Sequence, residues 1–135
     1  MATGNAARVL STQQVHYLRK TVAFNTSGIA TGVKMPAQLP VGAMIISTTA
    51  RIKTGFNSAG TNRLVVGTNS SSFNNMMTST VAAASTTGGK SSVVGAALSF
   101  TQPTDVYVKY TAATGTAATA GEATIVVAYT VDNDA

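Results

Sequence analysis

Between Ala43 and Thr54 the residues alternate, with Met44, Ile46, Thr48, Ala50 and Ile52 set against Ile45, Ser47, Thr49, Arg51 and Lys53. Side chains of an extended strand point to opposite faces in turn, so a period of two marks a half-buried strand. The same period recurs along the chain, whereas the ~3.6-residue period of an amphipathic helix does not. That contrast limits the chain to an all-β fold, because each strand then has a face that only another layer can bury.

Before this segment, His16, Leu18, Val22 and Phe24 alternate with Tyr17, Arg19 and Thr21, which predicts a strand over about 15–25. Asn25-Thr26-Ser27-Gly28 is turn chemistry. Ile29, Thr31, Val33 and Met35 then share a face until Pro36 stops the run, and Pro36 and Pro40 bracket a short connection. After Thr54, the Gly- and Asn-rich stretch Phe56 to Asn62 predicts a reversal, and Arg63 to Val66 a short strand, together a hairpin. Residues 68–92 are polar and low in complexity. Phe73, Met76 and Met77, with Ser72 as cap, allow one helical turn there. Val93 to Phe100 reads as a strand interrupted by Gly95. Val106, Val108 and Tyr110 then pair by pattern with Ala123, Ile125, Val127, Tyr129 and Val131, in what reads as the strongest hairpin of the chain.

The expectation is a single-domain antiparallel β-sandwich of about seven or eight strands, jelly-roll-like, with at most one short helical turn. An up-and-down barrel is the alternative closure. The 135 residues suffice for one domain with a core and are too few for two ordinary ones. Residues 1–14 show no periodicity and are read as an extended arm, 15–132 as the sandwich, and 133–135 as a solvated tail.

Composition narrows the function classes. Cysteine is absent, which excludes a disulfide scaffold, a thiolate zinc site and a thiol nucleophile. No secretory apolar run opens the sequence and no stretch reaches the about 18 to 20 apolar residues of a membrane span, so a soluble, unexported protein without a membrane partner is expected. Only 10% of residues are charged, about 25% being usual. Thr, Ala, Ser, Gly and Asn take the space. Such residues lose little side-chain entropy when ordered, which favours backbone-rich contacts with other subunits. Residues 1–67 hold seven Lys/Arg and no acid, and residues 68–135 hold two Lys and four acids; because the halves of a sandwich interleave, these read first as scattered solvated charges, with an acidic protein partner as the alternative.

A search for chemistry yields little. The single histidine, His16, lies on the same alternating face as Leu18 and Val22, as an edge or core histidine does, and no Gly-x-Ser-x-Gly elbow accompanies it. The acids are Asp105, Glu122, Asp132 and Asp134. Two begin separate strands and two lie at the end of the chain, so no pair spaced about 5 to 9 Å for glycoside chemistry is expected. Asp132-Asn133-Asp134 lacks the glycine and distal glutamate of a calcium loop. Gly88-Gly89-Lys90-Ser91 resembles only the tail of a phosphate loop and is read as a flexible loop. No catalytic residue, cofactor or metal site is expected. Arg19, Lys20, Lys34, Arg51, Lys53 and Arg63 could share a surface with Tyr17, but with aromatics at 6% and no aromatic-basic strand motif, nucleic-acid binding is not the preferred reading. Tyr107, Tyr110 and Tyr129 are the platforms available to a glycan- or receptor-binding module, the competing class.

Several phrases carry a resemblance. Val22-Ala-Phe-Asn25 leads to Gly32-Val33; Leu39-Pro40-Val41-Gly42-Ala43, Thr54-Gly-Phe-Asn57 and Gly67-Thr-Asn69 follow; Ala120-Gly121-Glu-Ala123 precedes a Val-rich closing strand. Over about residues 20–131 the chain resembles small tailed-bacteriophage virion proteins of the capsid cement or decoration type. The resemblance implies a sandwich subunit that associates with itself as a homodimer or homotrimer and sits on the lattice of major capsid proteins, reinforcing it against internal DNA pressure. It further implies a place in the virion, after assembly in the host bacterial cytoplasm, and no catalytic residues. Another head or tail structural protein is its near neighbour.

Overall fold

A computed structural model describes residues 15–69, 72–78, 84–92, 98–112 and 117–131. Among them the chain forms seven strands and no helix: β1 (His16–Ala23), β2 (Val33–Lys34), β3 (Ala43–Thr54), β4 (Asn62–Gly67), β5 (Gly88–Ser92), β6 (Tyr107–Ala112) and β7 (Glu122–Val131). They make two antiparallel sheets, one of four strands in the order β1-β7-β3-β5 and one of three in the order β2-β6-β4. The all-β sandwich read from the sequence is the observed fold. Odd-numbered strands lie in one sheet and even-numbered strands in the other, so every connection crosses between layers, the winding of a jelly roll.

That winding rules out both predicted hairpins and the up-and-down barrel. β3 and β4, joined through residues 55–61, belong to different sheets, as do β6 and β7. The physical reason is burial: β7 lies between β1 and β3, with Ala123, Ile125 and Val127 fully covered. Such a central strand needs two long partners, and β6 instead finds its own in β2 and β4. The core between the layers is aliphatic, with Leu18, Val22, Ile45, Ala50 and Ile52 facing Leu64, Val66, Val106 and Val108. Each Val, Leu or Ile so buried contributes about 1.5–3 kcal/mol before entropy is counted.

Three further local expectations are corrected, and the one helical turn the pattern allowed is not taken up. The run from Ile29 to Met35 keeps only two residues as strand; Ile29 is held in a turn by its N–H to the Thr26 carbonyl (3.1 Å), and its own carbonyl accepts from Tyr110 N–H (2.9 Å). The helical turn at 72–77 is absent. Phe73 takes a positive φ of 47°, and Met76 and Met77 enter the core while both their N–H groups donate to the Val66 carbonyl. Gly88 to Ser92, read as a loop, is the edge strand β5 paired to β3 through its backbone. Pairing of this kind needs no side-chain propensity, so the sequence carries no signal for it. The face of β3 also changes phase: a register shift between Ile45 and Ser47 buries Ile45 and leaves Met44 and Ile46 outside, while Thr48, Ala50 and Ile52 point inward as expected. The predicted strand from Val93 falls largely, and the arm at 1–14 wholly, outside the described residues.

Asparagines fasten the crossings between layers. Asn62, buried at the start of β4, accepts from Ser58 N–H (3.0 Å), the Ser58 hydroxyl (2.6 Å) and the Tyr110 hydroxyl, and donates to the Ser58 and Gly60 carbonyls. Asn57 holds the approach to β7 by accepting from the N–H groups of Thr119 and Ala120. There Gly121 has φ 147°, and a Cβ on it would meet the Phe56 ring at 2.5 Å, so only glycine lets the chain pass this close.

Candidate interaction face

Two outward faces are available to a partner. On the three-stranded sheet, Tyr107 points outward and Phe73 stacks on it, ring centroids 4.5 Å apart, while Val65 is buried and Lys34 pairs with Asp105 at 3.5 Å. On the four-stranded sheet, residues 17, 19 and 21 of β1, 124, 126 and 128 of β7 and 47, 49 and 51 of β3 face outward in register. Its surface has two parts. At one end stand the exposed Val15, Tyr17, Met44 and Ile46, with Val41 on the adjoining turn. At the other stand Arg19, Arg51 and Lys53, with threonines between them.

The apolar end arises from the shift in β3. Ile46 and Met44 would join the core if the alternation ran unbroken, and the irregularity turns both to solvent, at 43% and 49% exposure. Tyr17 is 64% exposed beside them. Single exposed apolar residues are ordinary, but several gathered on one flat face mark a contact surface. At the basic end three cations meet one carboxylate, Lys53 reaching Glu122 at 3.6 Å. Thr21 and Thr124 share a hydrogen bond of 3.1 Å, and Thr49 and Ser91 one of 3.2 Å, which fixes the small polar surface between the cations.

The six basic residues considered together in the sequence are divided. Arg19, Arg51 and Lys53 share this face with Tyr17, Lys20 is half-buried with the opposite parity on β1, and Lys34 and Arg63 belong to the other sheet. Each candidate sugar platform is already engaged: Tyr110 is buried against Asn62, Tyr107 lies under Phe73, and Tyr129 stacks on His16 at 5.6 Å. His16 and Glu122 occupy opposite ends of the β1–β7 ladder, about 24 Å apart at ~3.4 Å per residue. Asp105, just before β6, and Glu122, the first residue of β7, belong to different layers, each beside a lysine. Among the described residues no group of three His, Asp or Glu side chains could hold a metal ion, and no helix is long and apolar enough to cross a membrane. Asp132, Asn133 and Asp134 lie outside the described residues.

Among the described residues, the fold and this face define a jelly-roll sandwich with one uncovered, chemically divided sheet. No family model matches the chain. No curated protein matches it either. Among the solved structures similar in fold are chains of two phage capsids. A chain of the cyanophage Pam1 capsid asymmetric unit is 24% identical, with a TM-score of 0.67, the match covering 96% of this chain and 94% of that one. A chain of the acidic stable capsid structure of Helicobacter pylori bacteriophage KHP30 is 14% identical, with a TM-score of 0.57, covering 88% of this chain and 89% of that one.

Proposed function

We propose that this chain is a structural subunit of a bacteriophage virion, a cement or decoration protein that binds the lattice of major capsid proteins and stabilises it. The observation that carries the reading is the fold likeness to chains of two phage capsids over nearly the full length of each. The open sheet supports it, offering an apolar contact and a charged one on a single rigid face. A protein that binds the assembled shell better than its separate parts adds its binding free energy to the shell. Association of the subunit with itself, as a dimer or trimer, would let each copy engage its own capsomer and raise the effective concentration of the next contact. In this reading the apolar end supplies most of the affinity, the cations set orientation, and residues 1–14 extend the contact as an arm.

Heads assembled with and without the protein test the proposal. Heads that carry it are expected to withstand higher temperature or lower ionic strength before releasing DNA, measured by dye access to the packaged genome. Equal rupture in both preparations would defeat the cement role.

A further inference from the structure

The basic end of the open face is a shallow trough running across the strands. Arg19 on β1 and Arg51 on β3 stand on either side of β7, whose Val126 and Thr124 form the floor between them, with Thr49 and Lys53 completing the wall. A second depression lies on the far side of the β3 side chains, between β3 and β5, where Gly88 and Gly89 present no side chain and a Cβ added at either would meet nothing within 4 Å. The trough itself spans β1, β7 and β3. Two spacings of ~4.8 Å give it a length of about 10 Å, the reach of about three residues of extended chain at ~3.3 Å each.

We infer that this trough receives an extended, acidic peptide segment of a partner protein, its carboxylates held by Arg19 and Arg51. The inference rests on the cement reading only for the source of that segment, which would be the shell. Charge complementarity selects the occupant. Two guanidiniums share the depression with one lysine, Glu122 is the one carboxylate paired at its rim, and the fork of an arginine matches a carboxylate in two parallel hydrogen bonds. The floor is threonine and valine, which accommodates a peptide backbone and small side chains. A nucleic acid fits less well. Its affinity comes from many phosphate contacts along a basic stripe, about six to ten in well-bound duplexes, and three cations within about 10 Å fall short of that. The exposed ring of the face, Tyr17, lies at the apolar end and not over the trough.

A fluorescein-labelled pentaglutamate peptide, followed by anisotropy at low salt, tests this directly. Binding to the intact protein is expected, weakened about tenfold by the double variant Arg19→Ala/Arg51→Ala and unchanged by Lys34→Ala on the other sheet. Circular dichroism of each variant checks that the fold is kept. Absence of binding, equal weakening by Lys34→Ala, or tighter binding of a labelled five-nucleotide DNA would overturn the inference. Binding of the unaltered protein and of the double variant to heads lacking it separates the two readings. Peptide binding without head binding would overturn the cement role and leave the trough standing, whereas head binding indifferent to the two arginines would overturn the shell segment as occupant.

Discussion

On the three-stranded sheet the outward ring of Tyr107 lies beneath Phe73, and the segment carrying Phe73 continues into the core at Met76 and Met77. On the four-stranded sheet no described segment covers Met44, Ile46 or Tyr17. Both sheets bury aliphatic residues inward, so the difference lies wholly in what happens outside. Among the described residues, one outer face carries a ring from the chain's own 72–77 segment and the other carries no such cover. Closure by a loop adds stability to the monomer; an open apolar patch adds none, and it repays its exposure only when a partner covers it. The comparison therefore ties stability to the closed side and, in the proposed reading, attachment to the open one.

Three variants break or sharpen that division, in descending order of their expected effect on stability. Asn62→Ala removes the acceptor of three donors buried between the layers beside β4 and β6, and is expected to cost about 3 kcal/mol. Thermal unfolding should show this as a fall in Tm of about 10 °C. A change below about 1 kcal/mol would mean that water replaces the amide and that the crossing is not held by it. Phe73→Ala uncovers Tyr107 and is expected to cost about 1–2 kcal/mol in urea denaturation, with altered near-ultraviolet dichroism of the tyrosine. Unchanged stability would remove the distinction between a closed and an open sheet.

The smallest effect on stability belongs to Met44→Ser with Ile46→Ser, expected to cost less than about 1 kcal/mol because both side chains are already about half in solvent. The same pair should weaken attachment to heads by about tenfold or more, read by co-sedimentation. A loss of stability as large as that of Asn62→Ala would show these residues to be core in the isolated protein and the open face to be misassigned.

Much of this was legible in the sequence, for reasons that differ by element. Leu18 and Val22 on β1, Ile125 and Val127 on β7, and Val106 and Val108 beside or on β6 were placed inward by alternation alone, because pleating is a property of each strand by itself. Turn residues at 25–28 and 56–62 marked where the chain reverses. The open face was not legible. Met44 and Ile46 share a parity with Thr48, Ala50 and Ile52, and only the register shift before Ser47 separates them. Arg19 and Arg51 lie far apart in the chain and meet because β7 inserts between β1 and β3.

By itself, then, the sequence determined that the chain would be layered β-structure with an aliphatic interior, no thiol chemistry and a sparse, basic charge. Those properties are local or compositional, and neighbouring residues suffice to express them. Which strands became neighbours, that Gly88 to Ser92 would serve as an edge, where β3 changed phase and which sheet stayed open were decided only by the tertiary structure. Strand pairing joins residues remote in sequence through backbone groups that every residue carries. The choice among partners is therefore settled by how the whole set of apolar faces can be buried at once.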